Sequence, residues 1–469
     1  MSKRPILIMQ MQRMGDLILS FPLMLWLARK YPGHPLYVAA EELFYRPLMK
    51  LSPPVTYFPW AGADVLRRHE FELVINLSIQ EKAAVLAGQL RSEAVFGPVQ
   101  AADGGRVVHG DWQLYRTSLV GNNRYNRFHW AELNGLDVIP AAEIAATSFA
   151  EPRTQPADVT KVGLFLGASE TAKRPSAEFW AGLVRELLAR GLRPVLFGGP
   201  AEKPLGAEVK RLAGVPVLDL CGRLGLDEFG AVGQTLALFV TPDTGPMHLA
   251  AWTGLKCLNL SMGPVNPWET GPHSPGHYVL RADMDCAKGC WRCGREKLFC
   301  HEPFAPNRVA VLAARLAAGD GPDKLSKMSL PGLALFLTGK GPLGLYHIRR
   351  LDSAPPDGER LASRFWQAFF AARFGIGGED AAAAAWRGLT EDAPKTAQVL
   401  LAHIPAMSRQ LRHGLGAGER IDAAFWAESP VPARPLTGLA QMRLQNGDYG
   451  RPAWAAVMGH LEALIRVCA

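Results

Sequence analysis

The chain has 469 residues, too many for one ordinary hydrophobic core, so two or three domains are expected. Hydrophobic residues make up 48% and charged ones 20%, a globular balance that excludes a disordered chain. The net charge of +8, from 51 basic and 43 acidic residues, suits phosphorylated substrates or anionic lipid, and no dense basic run argues for nucleic acid.

The apolar run that opens the chain is cut short by Gln10, Gln12 and Arg13. No small-residue cleavage site follows, and no stretch approaches the length of a membrane span, so a cytoplasmic protein is expected. Seven cysteines, four of them close together, suit a reducing compartment better than a disulfide framework.

Residues 5–11 read as a buried parallel strand, Met14-Gly15-Asp16 as a turn, and the following residues as an apolar helix to about Tyr31. Pro22 either kinks that helix or sits in its first turn after Ser20. Strands at 36–40, 55–58, 71–77 and 94–96 alternate with helices near 41–51 and 80–90, the pattern of a parallel sheet covered on both faces. Asp16, at the carboxyl end of the first strand, either takes a proton from an acceptor hydroxyl or merely caps its helix. Residues 101–135 break the alternation with Trp112, Tyr115, Arg116, Arg124, Tyr125, Arg127, Phe128, His129 and Trp130. This segment either grips a phosphorylated sugar-lipid or is an irregular packed excursion. Residues 151–158 read as a linker.

A second series follows. Its strands fall at 162–166, 194–197, 217–220, 236–240 and 257–260, its helices at 177–190, 203–213, 226–234, 247–252 and 307–318. Two such halves make a cleft between the carboxyl ends of their sheets. After the first of these strands, Ser169 and Thr171 are candidates to hydrogen-bond phosphate, with Lys173 and Arg174 supplying positive charge for a leaving diphosphate. After the second, Gly198-Gly199-Pro200 allows close backbone approach, and Glu202 is placed to accept from a sugar hydroxyl. After the fourth comes Thr241-Pro-Asp-Thr-Gly-Pro-Met-His248, read as strand, tight turn and helix. Pro246 suits the first helical position. The amides of Thr244, Gly245, Met247 and His248 then point at one place, a site for an anion at a helix N-terminus, with Asp243, Thr244 and His248 beside them.

Cys286, Cys290, Cys293 and Cys300 follow with spacings that allow zinc, an iron–sulfur cluster or plain reduced thiols. Beyond residue 320 strand-like runs disappear. Alanine and arginine rise, and 361–374 and 454–468 look like amphipathic helices, giving a mostly helical third module.

Met14-Gly15-Asp16, Ala172-Lys173-Arg174-Pro175, Gly198-Gly199-Pro200 and Asp243-Thr244-Gly245-Pro246-Met247-His248, in this order, resemble glycosyltransferase family 9, the ADP-heptose:lipopolysaccharide heptosyltransferases. The likeness spans roughly residues 5–318. It implies a GT-B fold: an acceptor domain over 1–150, a nucleotide-sugar domain over 159–319, and a helical appendage over 320–469 that the basic fold lacks. It also implies inverting transfer of heptose from ADP-heptose to a lipopolysaccharide-core acceptor at the inner membrane face, with no metal required for transfer. Asp16 takes the role of base. Ser169, Thr171, Lys173, Gly199, Glu202, Asp243, Thr244, Gly245 and His248 serve the donor, and Met14, Gly15, Arg124 and His129 the acceptor. One departure is that the family's Lys-Arg-Trp-Pro reads here as Lys173-Arg174-Pro175. The alternative, from another class, is an idle GT-B scaffold that binds a nucleotide or glycan in envelope assembly.

Overall fold

The computed structural model describes residues 3–147, 153–285, 290 and 293–469. The first sheet holds β1 (Ile6–Met9), β2 (Leu36–Ala40), β3 (Thr56–Pro59), β4 (Glu70–Asn76), β5 (Arg91–Gln100) and β6 (Arg106–His109), in the order β3-β2-β1-β4-β5-β6. Neighbours run parallel except β5 and β6. β1 lies between β2 and β4, with Ile6 opposite Leu36 on one side and Leu73 on the other. Its residues are fully buried, which is why they form a continuous apolar run rather than an alternating one.

The second sheet holds β7 (Asp158–Phe165), β8 (Arg193–Phe197), β9 (Leu218–Asp219), β10 (Leu236–Pro242), β11 (Cys257–Leu260), β12 (Tyr278–Ala282), β13 (Leu333–Lys340) and β14 (Tyr346–Arg350). Their order is β14-β13-β12-β11-β10-β7-β8-β9, parallel from β7 to β12 and antiparallel beyond. The order reverses between β7 and β10, the place where such sheets bind ligands. The two lobes are Rossmann-like and form the expected GT-B arrangement.

Four strands escape the sequence reading: β6 lies in the 101–135 segment and pairs antiparallel with β5, and the other three are β12, β13 and β14. β12 carries Arg281 inside an otherwise apolar run and is only five residues long. β13 and β14 form a hairpin that continues the second sheet well past residue 319, so strand-like runs do not disappear after residue 320. Leu333–Lys340 is apolar for five residues after Pro331-Gly332, a strand signal masked by the alanine and arginine around it. The first helix is also two: Met14–Ile18 and Phe21–Lys30. Pro22 sits in the first turn of the second, where its missing N–H costs nothing. Ser20 holds the N-cap position of that helix but makes no side-chain capping bond, because its hydroxyl donates to the Leu17 carbonyl at 2.6 Å.

The remaining C-terminal chain is helical, with Gly358–Arg373 and Arg434–Asn446 turned back onto the first lobe. Phe374, which ends the former, lies 4.8 Å from the Trp112 ring, and Phe370 lies 5.0 Å from Tyr115. Asn446 exchanges two hydrogen bonds with the Val108 backbone, at 2.6 and 3.0 Å. One apolar core therefore runs through the first lobe and these helices. Residues 101–135 become β6 and the helices Asp111–Ser118 and Trp130–Leu133, and Trp112, Tyr115 and Phe128 are buried between the layers. Their aromatic rings pack and do not grip a ligand. Among the described residues, no helix is long and apolar enough to cross a membrane.

Candidate active site

β10 is buried along its whole length and delivers Asp243 and Thr244 to the rim of the second sheet. Thr244 is the N-cap of the helix Gly245–Trp252, in an extended conformation, and its hydroxyl makes no capping bond. Pro246 is the second helical residue rather than the first. The Met247 amide does not aim outward as expected. It donates to the Thr244 carbonyl at 3.0 Å, because the turn closes tightly before the helix begins. The Asp243 carboxylate is fixed by the Thr270 hydroxyl, which donates to Oδ2 at 2.6 Å. His248 is buried, and burial brings its pKa down to about 4 in spite of the nearby Asp243. It is therefore a neutral imidazole at pH 7, and its Nδ1 has no partner among the described residues.

The first lobe meets this turn with Arg13 and the short helix Met14–Ile18. Gly15 is the point of contact: a Cβ there would lie 3.4 Å from the Gly245 Cα and 3.5 Å from His248 Cδ2. The reciprocal Cβ on Gly245 would lie 3.1 Å from the Met14 side chain. The two glycines let the backbones of the two turns approach closely. Asp16 is the third residue of its helix, whose N-cap is Arg13, and among the described residues none donates a hydrogen bond to its carboxylate. Burial raises its pKa, against the pull of Arg116, Arg13 and Lys173, while Asp243 adds to the rise. Arg116 donates to the Leu77 carbonyl at 3.3 and 3.4 Å and lies 4.6 Å over the Trp130 ring. Burial brings its pKa down to about 10, which leaves it cationic at neutral pH.

The loop after β7 brings the second-lobe cation. Lys173 is mostly buried and 3.7 Å from Glu170. Arg13 spans the lobes, donating to the Ser169 hydroxyl at 3.4 Å and standing 3.9 Å from Glu170. Thr171–Lys173 is one 3-10 turn, braced from behind by His301, whose Nε2 lies 2.8 Å from the Ala172 carbonyl. Gly263, at φ +74°, packs against that same carbonyl, where a Cβ would come within 2.2 Å. Gly199 and Glu202 secure each other, the Gly199 amide donating to Glu202 Oε2 at 2.8 Å. The Glu202 side chain also fills the space where Gly167 lacks a Cβ.

The structure thus brings Met14, Gly15 and Asp16 against Asp243, Thr244, Gly245 and His248, with Ser169, Thr171 and Lys173 on the adjoining loop. Two expected acceptor residues lie elsewhere. His129 is fully buried: Nδ1 accepts from the Ala131 amide at 3.2 Å, Nε2 lies 3.0 Å from the Gly271 carbonyl, and Tyr346 packs on the ring at 4.4 Å. It joins the two lobes and is not free to touch an acceptor. Arg124 pairs with Glu359 of the C-terminal helix Gly358–Arg373 at 2.5 Å. Arg13, Arg116 and Thr270 were missed as site residues. Their signal is three-dimensional, since each reaches the site from a different element. Of the cysteines, Cys286 lies outside the described residues, and Cys290, Cys293 and Cys300 line one cavity of about 80 Å³ beside Gly263. Among the described residues, no three His, Cys, Asp or Glu are grouped to hold a metal ion.

Residues 60–297 match the profile of glycosyltransferase family 9 (heptosyltransferase). The chain is similar to lipooligosaccharide heptosyltransferase 2 of Haemophilus influenzae, 29% identical over 114 residues, which are 24% of this chain and 33% of that protein. The match thus spans only about a third of that relative's length. In fold it is similar to a family 9 glycosyl transferase from Veillonella parvula, with a TM-score of 0.52, 19% identity, and coverage of 68% of this chain and 98% of that one. It is likewise similar to Escherichia coli ADP-heptose lipopolysaccharide heptosyltransferase II, with a TM-score of 0.50, 20% identity, and coverage of 67% and 98%.

Proposed function

The chain belongs to glycosyltransferase family 9 (heptosyltransferase), and from that premise we propose an inverting transferase that moves heptose from ADP-heptose onto a lipopolysaccharide-core or related glycan acceptor. The observation that carries this reading is the meeting of two turns. A carboxylate of raised basicity stands on the Met14–Asp16 side, and an anion-directed helix terminus stands on the Asp243–His248 side, with Gly15 and Gly245 in contact between them.

In this reading the donor diphosphate lies at the N-terminus of the helix Gly245–Trp252, with Lys173 and Arg13 offsetting its charge. Asp243, held by Thr270, and neutral His248 orient the donor. Asp16 accepts the proton of the acceptor hydroxyl as that oxygen attacks the sugar carbon. The diphosphate leaves from the opposite face, which inverts the configuration. Positive side chains and backbone dipoles supply what a metal would otherwise supply, so added Mg²⁺ or Mn²⁺ leaves turnover unchanged. A severalfold rise on adding either ion would overturn that point.

The partners are an ADP-sugar and a lipid-linked glycan. A lipid-borne acceptor and the +8 net charge support a reading of the protein as peripheral, at the inner face of the bacterial inner membrane. Co-sedimentation with anionic vesicles checks this.

The test of the function is a calorimetric screen of the purified chain against ADP-, GDP- and UDP-linked sugars. Binding confined to ADP-linked sugars is the expected result, and a preference for another base would sink the donor assignment. Asp243→Ala and His248→Ala should each lose a bond to the donor worth roughly 1.5–3 kcal/mol, about tenfold or more in affinity. Unchanged affinity in both removes them from the site. The cysteine segment is read separately. Elemental analysis of protein purified without added metal finds about one zinc, or an iron–sulfur chromophore, per chain if the four thiols share a metal centre, and neither if they are reduced.

A further inference from the structure

A second cationic site lies where the C-terminal chain closes over the end of the second sheet. A cavity of about 230 Å³ opens between the segment carrying Arg124 and Arg127, the ends of β12 and β14, and the helix Gly358–Arg373. Its wall holds seven arginines and four acids, and the acids are all engaged. Glu359 pairs with Arg124, and Asp283 and Asp352 both pair with Arg350, at 2.7 and 2.6 Å. Asp357 caps the helix through the Arg360 amide at 2.8 Å and stands 3.8 Å from the Arg360 side chain. Arg127, Arg281, Arg349 and Arg364 have no carboxylate partner among the described residues.

Two of these four are buried. Arg127 is 5% exposed, its guanidinium carbon lies 4.2 Å over the Trp268 ring, and it makes no side-chain hydrogen bond among the described residues, its buried Nε included. Arg364 and Arg360 face it with like charge, and burial with that repulsion lowers its pKa to about 9. Arg281, also 5% exposed, donates through Nη1 to the Ser261 carbonyl and hydroxyl at 3.1 and 2.9 Å, while its buried Nη2 has no partner among the described residues. Buried guanidinium groups without an anion are costly, and this cavity is lined by two of them. Their planar forks match the oxygens of phosphate and carboxylate.

We propose that this cavity binds an oxyanion, a phosphate or a carboxylate, held by Arg127 and Arg281 from below and by Arg349 and Arg364 from the mouth. The C-terminal chain completes the site, since β14 and the helix Gly358–Arg373 supply two of the four cations. Binding itself does not rest on the transferase reading; only the source of the anion does. It is either a group carried on a sugar or a free ion.

The test is calorimetric titration of the full chain with inorganic phosphate at constant ionic strength. Arg349→Glu and Arg364→Glu lie on exposed side chains, and their melting curves show whether the fold is kept. Saturable binding should weaken at least tenfold in both and persist in Lys173→Gln. Affinity unchanged in both glutamate variants, or lost only in Lys173→Gln, overturns the proposal and moves the phosphate to the donor turn. Glucose 6-phosphate separates the sources. If it binds more tightly than inorganic phosphate, and that gain disappears in Arg364→Glu, the anion is one carried on a sugar. Equal affinities assign the cavity to a free ion.

Discussion

Asp16→Asn lowers turnover by about 10²–10⁴-fold while donor affinity stays near normal. The substitution keeps the shape of the side chain and removes its basicity. Helix capping predicts a different result. The N-cap here is Arg13, and Asp16 is already inside the helix; had its role been local, asparagine would serve almost as well. The pH profile adds an independent readout. Burial raises the Asp16 pKa, and only the ionised carboxylate accepts a proton. Activity therefore falls as pH drops through that raised value, with an acid limb above the ordinary aspartate value of about 3.9. The limb belongs to Asp16 if it disappears in the asparagine variant. Full turnover in Asp16→Asn would leave the carboxylate without a chemical role. His129 would not inherit it, since both its ring nitrogens are engaged in joining the lobes.

The parts of this site that were legible in the sequence are those in which chemistry and backbone coincide. Asp243-Thr244-Gly245 and Met14-Gly15-Asp16 are short, sit at strand ends and carry the two glycines at which the lobes' backbones approach. Side chains that arrive from a distance left no such trace. Arg116 reads as one of several arginines in an aromatic stretch, and it is the Trp130 ring, the Leu77 carbonyl and the Gln113 side chain that hold it where it acts on Asp16. The same holds for the fold. Strands buried on both faces, such as β1 and β10, stand out as apolar runs. β12 hides because its buried arginine is satisfied in part by Ser261, a partner twenty residues away. The C-terminal helices show their amphipathic pattern, but nothing in that pattern says which surface they cover. The aromatic segment around Trp112 and the ring of Phe374 each look like a ligand grip or a stray hydrophobe until they are placed 4.8 Å apart.

Lys173→Gln should lower kcat by about 10²–10³-fold, the usual cost of losing one group that stabilises charge developing in the transition state. Lys173 is a second-lobe cation close enough to act on the Asp16 pKa, and the loop holding it is fixed from behind. Gly263 permits that support: its φ of +74° and its contact with the Ala172 carbonyl leave no room for a methyl group. Gly263→Ala must therefore push the Thr171–Lys173 turn away, in addition to a conformational strain of about 1 kcal/mol. If the glycine acts through the lysine, Gly263→Ala lowers kcat, and the double variant is hardly slower than Lys173→Gln alone, because the displaced loop no longer has a charge to misplace. Losses that simply multiply would separate the two residues and reduce Gly263 to a general packing role. The melting temperature of each single variant decides whether a fall in kcat reflects a displaced loop or a partly unfolded chain. With the fold intact and the losses non-multiplicative, the position of the Lys173 ammonium limits the rate at which the diphosphate leaves.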